Sequence, residues 1–272
     1  MIIGSIIGDI IGSTYEFVPN KSKQFKLFPA NSTYTDDTVM TIAVARALME
    51  YKLAGKEPLT DLMEKHMQML GHQYPKAGYG TGFSMWLHSE YPEPYNSFGN
   101  GSAMRAAPCG IIAQSLDEAL SFAKASAVIT HNHPEGIKGA QAVAAAVFLA
   151  KSGASKDEIG GYICDHFYLL TQSLDEIRPN YWHNETCQGS VPESLIAFFE
   201  SDNYEDAIRN AISLGGDADT MACITGGVAW AYYTTQNGGM PTGDMLNMAE
   251  KAYEFLPKDF LETIDSADSF IP

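Results

Sequence analysis

Two short stretches of the sequence place two acids and a threonine at the start of an apolar helical run. Residues 35–37 are Thr-Asp-Asp, and residues 217–220 are Asp-Ala-Asp-Thr after a Gly-Gly pair. Acids and hydroxyls are favoured at helix N-termini, where backbone N–H groups lack partners. One side-chain oxygen is enough for a cap, so capping alone does not explain two acids at each start. The candidate ligand residues are Thr35, Asp36, Asp37, Asp217, Asp219 and Thr220.

These residue types indicate a site for hard metal ions, provided that the two helix starts meet in space. Four carboxylates close together must either take up protons or bind cations. Oxygen ligands favour Mg²⁺, Mn²⁺ or Ca²⁺ over zinc. An EF-hand is excluded because, counting from Asp217, the glycine position is Ala222 and the final glutamate position is Val228. The sequence therefore predicts a two-ion site built from oxygen ligands.

The N-terminal segment must position further polar groups beside these helix starts. Gly4, Gly8 and Gly12 recur every four residues, which allows another backbone to approach one helix face closely. Asp9 and Glu16 fall on a different face of the same predicted helix. They either form its solvated side or point inward, and the many isoleucines around them favour the inward alternative.

Two glycine-rich turns and a histidine pair are further candidates for binding groups. The glycines at 78–82 do not match a dinucleotide fingerprint, since no strand precedes them. Residues 97–105 could cradle phosphate oxygens with backbone N–H groups, but they lack the lysine of a P-loop. His131 and His133 could bind a metal or act as caps and hydrogen-bonding groups. No third nitrogen or sulfur ligand lies nearby, which argues against zinc.

Composition excludes several classes of function. The chain has 272 residues, a formal net charge of −16 and no cluster of lysine or arginine, so neither nucleic acid nor an anionic membrane is an expected partner. Its four cysteines form no CxxC pair and indicate free thiols. The N-terminus lacks the basic region of a secretion signal, and no apolar run is long enough to span a membrane. We expect a cytoplasmic protein.

Helical periodicity recurs almost throughout, and convincing strand patterns are scarce. We therefore expect one all-α domain over residues 1–272. Residues 18–33 are expected to form a surface loop that could act as a lid, and residues 170–182 are expected to be irregular. The predicted helices include 35–51, 59–70 with Gly71 as its end, 134–150, 194–200, 204–213, 220–233 and, as the last clear one, 245–255.

Six motifs in this order resemble the ADP-ribosylglycohydrolase family, whose enzymes release ADP-ribose from modified proteins and small molecules. Any one of them is weak, but the ordered set is specific and covers the chain from Gly4 to about Tyr233. The motifs are GDIIGSTYEF (8–17), TDDT (35–38), GYGTGF (78–83), GNGSAMR (99–105), THNHPE (130–135) and GGDADT (215–220).

The resemblance implies a compact, all-α orthogonal bundle with two Mg²⁺ ions, or Mn²⁺, at its centre. Thr35, Asp36, Asp37, Asp217, Asp219 and Thr220 would then surround the ions, and Glu16 would lie near them. Glu16, Asp36 and Asp37 would be the catalytic residues. The residues implied to bind substrate are Tyr79, Gly80, Gly99, Asn100, Gly101, Ser102, Met104 and His131. The implied substrate is an ADP-ribosylated protein or a small ADP-ribose conjugate, with arginine-linked conjugates preferred, and we expect a monomer.

Two other functions remain open. A two-metal phosphoesterase could use the same ions but would cut the diphosphate instead of the glycosidic bond. A non-catalytic relative could bind ADP-ribose without turnover, although all six candidate ligands and Glu16 are present. The loops 18–33 and 171–186 are expected to contact the part of the substrate that is not ADP-ribose.

Overall fold

α-Helices form nearly all regular secondary structure in this computed structural model, which describes residues 1–55 and 57–270. Over these residues no β-strand occurs, and the only β-type pairing is an isolated bridge between Gly99 and Thr186. The prediction of an all-α fold is confirmed. The helices are α1 (Ile3–Gly12), α2 (Asp36–Ala54), α3 (Leu59–Gln73), α4 (Thr81–Leu87), α5 (Ala107–Ile112), α6 (Leu116–Val128), α7 (Pro134–Lys151), α8 (Lys156–His166), α9 (Leu174–Ile177), α10 (Cys187–Phe199), α11 (Tyr204–Ile212), α12 (Ala218–Gln236), α13 (Gly243–Tyr253) and α14 (Lys258–Asp268).

Helices α1 and α12 form the centre of the molecule and pack backbone against backbone. Every residue of α1 is buried. A Cβ atom added at Gly8 would lie 2.0 Å from the carbonyl oxygen of Ala222, and one at Gly12 would lie 2.4 Å from that of Ala218. No side chain other than hydrogen fits at these distances. The close approach that the glycine spacing predicts is therefore present, and α12 is the partner helix.

Helix α2 runs beside this central pair and begins at the predicted place. Thr35 adopts an extended conformation and its hydroxyl accepts a hydrogen bond from the Asp37 N–H, which makes it the N-cap. The helix then buries a continuous apolar surface that includes Val39, Met40 and Ile42. The cap and this buried surface together fix where the two acids Asp36 and Asp37 lie.

Several predicted helix boundaries are wrong. Helix α3 does not end at Gly71 but runs to Gln73, because Gly71 makes room for the Leu87 side chain, which would lie 2.5 Å from an added Cβ. Helix α10 begins at Cys187 instead of Ser194, with Pro192 inside it. Pro192 removes only one backbone hydrogen bond near the N-terminus, and the helix continues through it.

Helices α14 and α9 lie where the sequence predicts no helix, and α4, α6 and α8 are also absent from the predicted set. Helix α14 follows the predicted last helix and buries Phe260, Ile264 and Ala267, which have regular helical spacing among polar residues. Helix α9 is a single turn inside the segment predicted to be irregular, and Ser173 and Glu176 form a capping box at its start.

The loop 18–33 carries no regular secondary structure, as predicted, but it is tied to the helical core. The Lys21 ammonium donates to the backbone carbonyls of Tyr181 and Leu214, and Arg209 donates to those of Lys23 and Phe25. No described helix is long and apolar enough to cross a membrane.

Candidate active site

The N-termini of α2 and α12 meet, as the ion-site hypothesis requires. The Thr220 hydroxyl donates a hydrogen bond to Asp37 Oδ2 at 3.2 Å, which links the two helix starts directly. Carboxylate oxygens of Glu16, Asp217 and Asp219 all lie within 4.8 Å of one another. The pairs of acids that are 180 residues apart in the sequence thus share one cluster.

Asp9 holds the start of α2 from behind this cluster. Its carboxylate is fully buried and accepts hydrogen bonds from the backbone N–H groups of Thr35 at 2.9 Å and Thr38 at 3.1 Å. It also accepts from the hydroxyls of both threonines. Asp9 therefore points inward, and four donors fix its position. The Thr35 hydroxyl donates to Asp9 and accepts from the Asp37 N–H, which leaves one lone pair of its oxygen for a further ligand.

One carboxylate oxygen in the cluster has no partner. Asp37 Oδ1 is buried and accepts no hydrogen bond from any residue that the structure describes. Burial, followed by the negative charge of Asp9, raises the pKa of Asp36 to about 7 and that of Asp37 well above its usual value. The pKa values of Asp217 and Asp219 are also raised, mainly by burial. These shifts show that the cluster favours bound protons, and cations would relieve the same repulsion.

Glu16 reaches the cluster from outside the helix on which it was predicted. Helix α1 ends at Gly12, and Glu16 lies in the turn that follows, so helical spacing from Asp9 is not what positions it. Its side chain is half-buried. Burial, and then the charge of Asp217, raises the pKa of Glu16 to about 7. A carboxyl group with this pKa exchanges a proton near neutral pH.

The cluster forms one side of a cavity of about 320 Å³. Arg105 is the only lysine or arginine among the described residues that line it. The cavity is therefore strongly acidic on one side and carries a single cation. Its lining comprises Glu16, Asp36, Asp37, Gly78, Gly80, Thr81, Gly82, Phe83, Tyr95, Ser97, Gly99, Asn100, Gly101, Met104, Arg105, His131, Glu185, Asp217, Asp219 and Thr220.

The glycine-rich turn at 99–104 also lines the cavity and is hydrogen-bonded to the acidic cluster. The Asn100 side-chain amide donates to Asp217 Oδ2 at 2.7 Å, and the Asn100 N–H donates to the Glu185 carbonyl oxygen at 2.7 Å. His131 lies against the turn, since a Cβ at Gly101 would be 3.2 Å from its Nε2. The structure thus brings together the two acidic helix starts, the turn and His131.

Three predicted site residues do not line the cavity. Thr35 lies behind the cluster, where it binds Asp9. The Tyr79 ring packs 5.6 Å from Phe83 and its hydroxyl donates to the carbonyl of Tyr74, whereas the neighbouring Gly80 does line the cavity. The Ser102 hydroxyl is buried and donates to the Gly136 carbonyl oxygen at 2.7 Å.

Other residues at the site were not among the predicted ones. Glu185 and Tyr95 line the cavity from irregular segments that carry no periodic signal. Arg105 also lines the cavity, and its signal in the sequence is a lone arginine next to a glycine-rich turn. The inward orientation that the isoleucine-rich sequence favours for Asp9 is confirmed, since its side chain is fully buried.

The donor set fits hard divalent cations. It consists of carboxylate and hydroxyl oxygens and includes a buried oxygen without a partner. It also holds carboxylates whose pKa values are raised first by burial and then by neighbouring negative charge. Oxygen atoms of Glu16, Asp217 and Asp219 lie close enough together to share an ion. Asp37 and Thr220 are linked across the two helix starts, and Asp36 lines the same cavity.

Comparison with known proteins gives one consistent result. The sequence model of the family described as ADP-ribosylglycohydrolase matches residues 1–262. ADP-ribosylarginine hydrolase Tri1 of Serratia proteamaculans is 26% identical, with 95% of this chain and 79% of that protein covered. ADP-ribosylhydrolase ARH3 of Mus musculus is also 26% identical, with 85% of this chain and 82% of that protein covered.

A solved structure shares the fold. It is described as an ADP-ribosylglycohydrolase-related protein complex, and the two structures align with a TM-score of 0.65 at 22% identity. The alignment covers 93% of this chain and 95% of that one.

Proposed function

The chain belongs to the ADP-ribosylglycohydrolase family, and on that basis we propose that it hydrolyses the glycosidic bond at C1″ of ADP-ribose conjugates and releases ADP-ribose. The observation that carries the proposal is the meeting of two acidic helix N-termini at a cavity, with the Thr220–Asp37 hydrogen bond between them. Cleavage of the glycosidic bond develops positive charge on the sugar ring. A cavity wall of carboxylates can stabilise that charge.

We further propose that two Mg²⁺ ions, or Mn²⁺, are bound by the six residues of the acidic helix starts. The support is the oxygen-only donor set and the buried Asp37 Oδ1 without a partner. When bound, such ions would neutralise the carboxylates and polarise ligand oxygens as Lewis acids.

We assign charge stabilisation, proton transfer and orientation of the attacking water to three acidic side chains. Cleavage at C1″ passes through an oxocarbenium-like state, whose positive charge is favoured beside Asp36 and Asp37. Glu16 is half-buried, borders the cavity and has a pKa of about 7, so it is suited to hold a proton for the leaving group or to take one from the attacking water. Asp36 and Asp37 would orient that water.

Arginine-linked conjugates are the substrate class that we favour. One relative is named an ADP-ribosylarginine hydrolase. In this chain, Glu185 lines the cavity with a side chain that is 75% exposed and would face a positively charged leaving group. A guanidinium group is planar and cationic, and it pairs with carboxylates through two parallel hydrogen bonds.

The test is to incubate the protein with an arginine-ADP-ribosylated target, with and without Mg²⁺, and to identify products by mass spectrometry. We expect intact ADP-ribose only when Mg²⁺ is present. Release of AMP, with phosphoribose still attached to the target, would indicate the phosphoesterase instead. Binding of ADP-ribose without release from arginine-, serine- or small-molecule conjugates would indicate the non-catalytic relative.

Asp36→Asn combined with Asp37→Asn should abolish release while the helical circular-dichroism spectrum is retained, because the amides cannot replace the carboxylate charge. Asp265→Asn is the matched control, since Asp265 lies exposed on α14. Normal activity of the double variant would overturn the assignment of these two residues.

A further inference from the structure

Three buried side chains are linked by hydrogen bonds in a row that ends at the cavity. Arg105 is fully buried, and its Nη2 donates to the Ser126 carbonyl oxygen at 2.9 Å and to the Thr130 hydroxyl oxygen at 2.8 Å. The Thr130 hydroxyl is 2.7 Å from His131 Nδ1. Thr130 itself is fully buried, so this contact is shielded from water.

The donors and acceptors in this row of hydrogen bonds determine which ring nitrogen of His131 carries the proton. Arg105 can only donate, so the Thr130 oxygen accepts from it. The hydroxyl proton of Thr130 then has His131 Nδ1 as its single acceptor among the described residues. If Nδ1 carried the proton instead, the buried Thr130 hydroxyl proton would have no partner, which folded proteins rarely tolerate. Nδ1 is therefore the acceptor, and the proton of a neutral ring is on Nε2.

The surroundings keep the ring neutral and direct Nε2 to the ligand side. Burial, and then the charge of Arg105, lowers the pKa of His131 well below its usual value. His131 lines the cavity, and its Nε2 lies against the turn at Gly99 and Gly101. No described residue accepts a hydrogen bond from Nε2, which leaves this N–H as a free donor at the cavity wall.

We propose that Arg105 and Thr130 are positioning residues that hold His131 with its proton on Nε2 and direct this donor at an acceptor oxygen of the bound ligand. The ligand oxygen belongs to a phosphate or a ribose hydroxyl, both of which accept hydrogen bonds. The inference rests on the proposed function only for the choice of ADP-ribose as the probe, because the position of the proton is a property of the free protein.

The Arg105 charge makes this arrangement suit an anionic ligand. No carboxylate of the described residues lies within ion-pair distance of its guanidinium. The arginine thus supplies an uncompensated positive charge at the cavity, and the Thr130 contact connects it to the neutral donor of His131.

The first measurement is a long-range ¹H–¹⁵N spectrum of the histidines, with His131→Gln used to identify the His131 signals. We expect the wild-type ring to carry its proton on Nε2 and to have a hydrogen-bonded Nδ1. Thr130→Val keeps the side-chain shape but removes the hydroxyl. The Nδ1 signal should move to that of an unbonded nitrogen, and ADP-ribose affinity measured by calorimetry in Mg²⁺ should fall on the order of tenfold.

Thr130→Ser restores the hydroxyl and should restore both the Nδ1 signal and the affinity, which separates the hydrogen bond from a packing effect. Ser121→Ala is the matched control, because Ser121 lies exposed on the same helix α6 and is not among the groups bonded to Arg105. A proton on Nδ1 in the wild type, or unchanged ADP-ribose affinity in Thr130→Val, would overturn the proposal. If the wild type bound ADP-ribose but released none from any conjugate, the proposed function would fail while the positioning of His131 would stand.

Discussion

Asp9 is a buried acid that acts on the cluster through the threonines in front of it. Its two oxygens accept from both the N–H and the hydroxyl of Thr35 and of Thr38. A residue that hydrogen-bonds a metal-binding side chain can orient that side chain without contacting the metal ion itself. The distinction matters for mutagenesis, because Asp9 and the acids of the helix starts would otherwise be grouped together as one set of ligands.

Asp9→Asn tests this role. The amide nitrogen of asparagine cannot accept a hydrogen bond, so at least one donor from Thr35 or Thr38 loses its partner. We expect stability to fall by about 1–3 kcal/mol in chemical unfolding, and Mg²⁺ affinity in calorimetry to fall 10- to 100-fold, as is typical of such outer groups.

Asp265→Asn serves again as the control and should leave both values unchanged. If Asp9→Asn lost activity but kept the Mg²⁺ affinity of the wild type, Asp9 would have a role in the chemistry that its buried position does not suggest.

At the scale of elements, the contact between α1 and α12 sets the position of the Asp217–Thr220 helix start relative to Asp9 and Glu16. The added Cβ at Gly8 would lie 2.0 Å from a backbone oxygen, which no rotamer change can relieve. Gly8→Ala should therefore separate the two helices and destabilise the protein by at least about 1–3 kcal/mol. Differential scanning calorimetry with and without Mg²⁺ measures the loss.

Gly161→Ala provides the comparison, because Gly161 is an exposed residue of α8 and an added Cβ there would meet no atom within 4 Å. This variant should gain roughly 0.5–1 kcal/mol through lower backbone entropy of the unfolded chain. Equal effects of the two alanines would show that helix propensity, and not the contact with α12, decides the outcome at Gly8.

The same elements show what the sequence could and could not predict. Glycines at 4, 8 and 12 have a physical consequence that depends only on helical spacing, so the close helix contact was predictable. Gly71 has the same residue type but lies within α3, where its role depends on Leu87 of another helix. Glu16 enters the cluster from a turn after α1, and Arg105 and Thr130 meet although 25 residues separate them. Such contacts depend on how helices pack, which periodicity alone does not encode.

At the scale of the whole molecule, the charge distribution explains why the cluster and its ions would act as a unit. The chain carries a formal net charge of −16, and the cavity holds several acids against one arginine. A diphosphate ligand would be repelled by such a cavity as long as the carboxylates were ionised and uncompensated. Bound cations would remove this repulsion, so ion binding and binding of an anionic ligand are expected to be coupled.

The raised pKa values also predict how the metal-free protein responds to pH. Asp36 has a usual pKa of 3.8 and a folded-state pKa of about 7, so between these values the folded protein retains a proton that the unfolded chain has lost. Its contribution to stability is complete below pH 3.8 and is lost as the pH rises through about 7.

In a chelator, the melting temperature of the wild type should therefore fall with rising pH relative to that of Asp37→Asn, whose cluster carries one fewer acid. Taking the difference between the two proteins cancels the histidines, which titrate in both. Mg²⁺ should reverse the fall, because the cations replace the lost protons. If the difference in melting temperature between the two proteins did not change with pH, Asp36 and Asp37 would be ionised without metal. The carboxylates would then not repel one another strongly enough for a bound ion to stabilise the protein.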